Sequence, residues 1–334
     1  MEGVQVKNRG ALTPRALNRA TLARQLLLER KKTKPVAVIE RLVGMQAQQA
    51  RPPFIGLWSR IEGFKREDLL RADVVRATMM RGTLHLMSHA DYIEFRAAMQ
   101  PMLSALGARA KGIDLDRILT NARTFFKKPR TFDEFRKSIG GGDERAIAYA
   151  VRMNLPLIQT RTDERWGYSS SAVFQLFDTP INAKADLEAL VLRYLAGFGP
   201  ASVNDMQIWS GLRGLREIFE GLRPKLMVFG DLFDLPKAER PDEDTEAPVR
   251  FLPEYDNLLL GHSDRSRIVA AEYRKRLVTR NLTIPATFLV DGFVAGTWKI
   301  ERGKMKLEPF GRLSREVRVA LDEEGERLVE FVEH

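Results

Sequence analysis

Three stretches of this chain repeat one order of elements, short amphipathic helices followed by two short strands around a tight turn. Few folds satisfy that order. In the first stretch, Leu17, Leu22, Leu26 and Leu27 space a helix over 15–31, and a second helix runs from Pro35 to Val43. Helices over 53–62 and 66–72 follow, then strands Val74–Met80 and Thr83–Met87 around Arg81-Gly82. In the second stretch Ser88 and Asp91 form a capping box for a long helix through Tyr92, Phe95, Met99 and Leu106. Helices over 114–127, 131–139 and 143–153 then lead to strands Leu155–Thr160 and Trp166–Ser170. The third has a helix from Asp186 to Ala196 stopped by Gly197, a helix over 203–210 broken by Gly211, and a candidate recognition helix Leu212–Leu222. Its strands are Lys225–Phe229 and Leu232–Leu235, and it carries the clearest helix-turn-helix signature.

After a Pro-, Asp- and Glu-rich linker over 237–249 the pattern changes. Strands over 284–290, 293–300 and 304–310 turn at Asp291-Gly292 and Arg302-Gly303, and a helix over 314–331 closes the chain. The expected fold class is mainly α with short β-hairpins (α+β). Winged-helix modules over 1–90, 91–180 and 181–240 precede a strand-rich C-terminal domain over 250–334.

The segment between the second helix and Pro52-Pro53 carries the chemistry. Gly44 stops the helix, so Gln46-Ala47-Gln48 is extended or irregular backbone, where residues two apart project to one side. Two neutral amides then converge, each with a carbonyl acceptor and two N–H donors, enough to orient a water and bind a polar transition state. Residues 1–81 hold 17 basic and 7 acidic side chains, whereas 82–334 hold 37 of each, so the whole net charge of +10 lies around this motif. Such a region attracts polyanions, with nucleic acid foremost. A solubilising surface is the alternative reading.

The residue inventory excludes several chemistries. With no cysteine, thiol nucleophiles, disulfides and Cys-ligated metals are ruled out. The four histidines are His85, His89, His262 and His334; His85 and His89 lack a third ligand and read as structural or DNA-contacting. There is no Gly-x-x-x-x-Gly-Lys-Ser/Thr phosphate loop and no lysine in the glutamine motif, so no metal, nucleotide or Schiff-base cofactor is expected. No apolar run nears the roughly 18 residues of a membrane span, and Met1–Lys7 lacks a signal-peptide core. The expectation is a cytoplasmic protein with no membrane partner.

The ordered segments Gly44-Met45-Gln46-Ala47-Gln48, Arg51 through Arg60, Met80 through Leu86, Phe251 through Leu260 and Asp264-Arg265 are similar to those of the winged-helix bacterial DNA glycosylases of the AlkZ/YcaQ type. The resemblance covers nearly the whole chain. It implies a C-shaped stack of winged-helix modules around a basic channel for double-stranded DNA, with Gln46 and Gln48 as the catalytic pair; separately, a monomer is expected. A glutamine at the second position sides with the AlkZ-like branch, while Gln49 departs from the acidic residue that many relatives place there. The implied activity is that of a monofunctional DNA glycosylase releasing cationic alkylated purines, N7-alkylguanine above all, with N7-linked interstrand crosslinks as further targets. Arg51, Arg81, His85, Arg213, Arg216, Arg265, Lys304 and Lys306 are the candidate DNA contacts. Lys304 and Lys306 also read as part of a solvated hairpin. A winged-helix transcriptional regulator is the principal alternative function, and a DNA-coating protein a third.

Overall fold

The computed structural model of the protein describes residues 8–277 and 284–334 as a mixed α and β structure in which short helices surround small sheets. Helix Pro14–Arg24 starts where the Thr13 side chain accepts the Ala16 N–H and a proline fills the first turn. The expected continuation to residue 31 does not occur, because Leu26 turns left-handed at φ 57°. The apolar spacing beyond Arg24 serves two cores instead: Leu26 packs with Val38, Phe54 and Leu86, whereas Leu27 packs with Leu252 and Leu289.

Helix Pro35–Arg41 ends at Val43 (φ 50°) and Gly44 (φ 93°), where the sequence placed its stop. Gly44 is required twice over: its φ suits glycine, and a Cβ there would stand 2.2 Å from Met87 Sδ. Helices Pro52–Trp58 and Arg66–Leu70 lead to strands Val74–Thr78 and Leu84–Ser88.

These strands belong to a five-stranded antiparallel sheet ordered Met45–Gln46, Leu84–Ser88, Val74–Thr78, Leu157–Gln159, Phe174–Leu176. The hairpins of the first and second stretches are thus joined, with Arg76 opposite Gln159. Edge pairing satisfies backbone groups that two separate hairpins would leave open. The second hairpin's outer strand was expected over 166–170 but lies at Phe174–Leu176. Trp166 and Tyr168 instead reach the first core, Trp166 edge-on to Phe54 at 5.0 Å.

Helix His89–Gly107 is capped by Ser88, but the Asp91 carboxylate does not complete a capping box; it accepts from Arg193 at 2.7 Å. Helix Leu187–Phe198 runs through Gly197, which is not a stop. A Cβ there would meet Arg41 O at 2.3 Å, so glycine permits close packing on the first region. Helix Val203–Ser210 has the Ser202/Asp205 capping box and ends at Gly211, φ 82°. The helix expected over Leu212–Leu222 is shorter, Arg216–Leu222, which leaves Arg213 in the preceding loop beside Gly214 at φ 74°. Strands Met227–Phe229 and Leu232–Asp234 pair as anticipated, and Asn8–Arg9 adds a parallel strand the sequence did not reveal.

Residues 237–249 form no helix or strand, yet they are tied down along helix Pro14–Arg24. Arg15 donates to Glu243 O, Arg19 to Thr245 O and Arg24 to Glu239 O at 2.8, 2.6 and 3.1 Å. The C-terminal sheet runs Lys304–Pro309, Phe293–Glu301, Thr287–Val290, Arg250–Leu252, its last strand unanticipated. Both predicted turns place positive φ at consecutive residues, Asp291-Gly292 (48°, 80°) and Arg302-Gly303 (53°, 68°), which suits the twist of a two-residue hairpin. Helix Arg315–Glu333 covers this sheet, and Leu321 and Leu328 join Ile55, Phe251 and Trp298 in one core. Among the described residues no helix is long and apolar enough to cross a membrane.

Much of the N-terminal positive charge is answered internally. Arg24 forks onto Asp234 at 2.7 and 2.9 Å, Arg60 onto Asp256 at 2.8 and 2.9 Å, Arg30 reaches Glu324 at 2.5 Å, and Arg19 pairs with Asp291. The charge asymmetry of the sequence is therefore partly a packing code between its two halves.

Candidate active site

The glutamine segment, strand at Met45–Gln46 and a bend from Gln48, is held from both ends. Met45 and Gln46 pair with Leu86 and His85, and Ala47 N–H donates to Leu84 O at 2.7 Å. Upstream, Asn257 Nδ2 donates to Leu42 O and Gly44 O at 3.1 and 2.7 Å. Downstream, Arg76 Nε donates to Ala47 O at 2.8 Å and its Nη2 to Gln48 O at 3.0 Å, with the guanidinium 5.0 Å over the Tyr168 ring. Between the two glutamines Ala47 turns into the core at 1% exposed.

Both amides are oriented by groups that can only donate. Arg81 Nη2 donates to Gln46 Oε1 at 2.7 Å, and Leu84 N–H donates to Gln48 Oε1 at 2.8 Å. Neither a guanidinium nor a backbone N–H accepts, so the carbonyl end of each glutamine must face its partner. Among the described residues neither Nε2 donates to protein. Gln46 is buried at 8% exposed, whereas Gln48 stands at the surface. No carboxylate bonds to either amide among the described residues.

Two arginines, Arg81 and Arg265, stand at the Gln46 end of the pair with no carboxylate bonded to either among the described residues. Arg81 is half-buried at φ 56°, and its second terminal nitrogen donates to the Trp209 carbonyl. Burial, and then the nearby Arg265 charge, lower its pKa to about 10. Arg265 is half-buried, its pKa is lowered by burial, and its side chain has no protein acceptor among the described residues. His85, opposite Gln46, is 2% exposed. Burial and the Arg81 charge push its pKa down to about 3 against the opposing Thr83 carbonyl, 3.0 Å from Nδ1. The ring is neutral at pH 7 and offers a phosphate no charge.

The other nominated residues are dispersed. Arg51 reaches Glu254 Oε1 at 3.3 Å. Arg213, on the loop before Arg216, lines an open groove of about 600 Å³ with Arg81 and Arg109, walled by Met102, Leu106 and Leu212. Arg216 and Lys304 are exposed, while Lys306 pairs with Glu301, which also takes Lys299 at 2.8 Å. His89 does not join His85; it lies 3.7 Å from Asp73 and edge-on to Phe177. No cluster of three metal-ligating side chains occurs among the described residues.

Sequence reasoning missed Arg76, Asn257 and the Trp209 carbonyl. Arg76 carried a signal, being the one charge within a strand, Val74–Thr78, whose residues are all buried. Asn257 lay in a segment already singled out. Nothing local marks a backbone carbonyl 128 residues from its donor.

Comparison with known proteins supplies the remaining findings. The family description "DNA glycosylase AlkZ-like" matches residues 39–331. The solved structure of the Streptomyces sahachiroi DNA glycosylase AlkZ superposes with a TM-score of 0.76 at 19% identity, covering 94% of this chain and 95% of that one, which shows a shared fold. The curated proteins contain no match.

Proposed function

The chain belongs to the AlkZ-like DNA glycosylase family, and on that premise we propose that it is a monofunctional glycosylase that releases cationic alkylated purines from double-stranded DNA. Family membership decides for an enzyme of DNA repair and against a transcriptional regulator. The observation that carries the substrate class is the pair of oriented neutral amides with no carboxylate bonded to them among the described residues. Such a site has no strong acid for a departing base, so the base must bring its own activation. Alkylation at N7 of guanine does so. As the bond from C1′ to N9 breaks, its electron pair neutralises the purine cation, water adds to the oxocarbenium-like sugar, and the water's proton passes to solvent. Gln48, exposed and with a second lone pair on its anchored Oε1, suits the positioning of that water.

The same reading gives the cations their work. Arg265, Arg213 and Arg216 lack protein acceptors among the described residues and are proposed to hold phosphates, with Arg51 and Lys304 flanking them. A monomer with three winged-helix modules in a C shape would present these groups along one duplex. N7-linked interstrand crosslinks satisfy the same leaving-group requirement and are proposed as further substrates.

One comparison tests the reading. In a common duplex sequence, N7-methylguanine is expected to be released and uracil retained, with EDTA without effect. Comparable release of both bases would mean that an acid operates and that the substrate class is wrong.

A further inference from the structure

The Arg81 guanidinium is placed too deliberately to serve only as one phosphate contact among several. Its backbone is left-handed at φ 56°, a conformation a side chain as large as arginine rarely adopts. Its Nη1 donates to the Trp209 carbonyl at the C-terminal end of helix Val203–Ser210, where carbonyls lack helical partners and the helix dipole is negative. Gly211 closes the back of this arrangement: a Cβ there would stand 3.2 Å from Arg81 Cα, and its φ is 82°. The remaining terminal nitrogen is thereby aimed at Gln46 Oε1, 2.7 Å away.

We propose that Arg81 is a positioning residue for base excision, fixing Gln46 so that its Nε2 donors, and not its carbonyl, face the substrate. The inference rests on the functional reading above. A flipped Gln46 amide would set donor against donor at the guanidinium, so one orientation is strongly favoured. The charge-assisted bond also polarises the amide, which makes Nε2–H a better donor. As the bond from C1′ to N9 breaks, electron density moves onto the leaving purine, and a donor bonded to a ring acceptor holds it more tightly in the transition state than in the ground state. Gln46 then acts on the departing base, and the water is left to Gln48. The two glutamines have different tasks because different donors anchor them.

The test is single-turnover release of N7-methylguanine from a duplex, with DNA affinity and melting temperature measured beside it. Gln46→Ala is expected to slow release about 100-fold. Gln46→Glu, which still accepts from Arg81 but has no N–H to give, should be equally slow. Arg81→Met should be slow with affinity nearly kept, Arg81→Lys should recover part of the rate, and the double variant Arg81→Met with Gln46→Ala should be no slower than the slower single. Near wild-type release by Gln46→Glu, or losses that multiply in the double variant, would overturn the inference while the functional reading stands. Should Arg81→Met not fold, the Gln46→Glu rate decides alone. A wild-type protein that releases no N7-methylguanine would overturn the functional reading, and this inference with it.

Discussion

Arg60 and Arg81 stand 21 positions apart and are both drawn out of solvent, yet their charges are met in opposite ways. Arg60, fully buried, forks onto both oxygens of Asp256 and also donates to Gly56 O at 2.9 Å. Among the described residues no carboxylate pairs with Arg81. A backbone carbonyl and a glutamine amide receive it, and a second cation, Arg265, stands close enough to lower its pKa. Around Arg60 the field cancels within one hydrogen-bond layer, so the pair serves folding. Around Arg81 no carboxylate among the described residues cancels the charge, so the guanidinium polarises the glutamine amide that receives it and serves the site.

The largest expected effect breaks the scaffold side. Asp256→Ala leaves the Arg60 guanidinium buried and unpaired, and should lower stability by about 3–5 kcal/mol in urea titrations. It should also disturb Asn257 and through it the Gly44 carbonyl that leads into the glutamine segment. A loss below about 1 kcal/mol would show that the buried pair is not what holds this junction.

A second effect is read from acid. His85 is neutral in the fold with a pKa of about 3, below the ordinary value of 6.5, so its contribution is complete above 6.5 and is lost as pH falls toward 3. Between pH 7 and pH 5 it should cost about 2 kcal/mol, from 1.4 kcal/mol per pH unit below 6.5. His262, fully buried and likewise pushed down to about 3, adds in the same direction. His85→Gln should flatten the curve over that window. An unchanged slope would place a charged histidine beside Arg81 and contradict the electrostatics described.

The third effect sharpens the site side. Arg265→Ala should reduce the slope of log affinity against log salt by about one unit while changing stability by no more than about 0.5 kcal/mol. The same slope with a lower melting temperature would make Arg265 a scaffold residue. The smallest effect belongs to the C-terminal hairpin, where Glu301, pulled down to about 2 by Lys299 and Lys306, already neutralises its neighbours. Lys306→Ala should leave the salt slope unchanged; a drop of one unit would add Lys306 to Lys304 among the phosphate contacts.

What the sequence disclosed follows from how local each determinant is. The stop at Gly44 and the turns at Asp291-Gly292 and Arg302-Gly303 depend on a few consecutive residues, and the structure has them where the residues point. Long-range pairing was not legible. The joining of two hairpins through Arg76 and Gln159, the strands Asn8–Arg9 and Arg250–Leu252, and the contact of Gly197 with Arg41 O depend on partners distant in the chain. The positive excess before residue 82 was visible as a count, but which arginines are spent on carboxylates required the fold. At the site the glutamines were evident and their orientation was not, because it is set by Arg81 and by the backbone of Leu84.

The central claim is that Gln46 and Gln48, held by neighbours that carry no negative charge, drive release of a cationic purine. Its most direct test is single-turnover liberation of N7-methylguanine by wild-type protein and by the Gln46→Ala, Gln48→Ala double variant, both saturating the DNA. The wild type is expected to release the base and the double variant to lose at least about 100-fold in rate, with affinity and melting temperature nearly unchanged. Equal rates from the two proteins would contradict it.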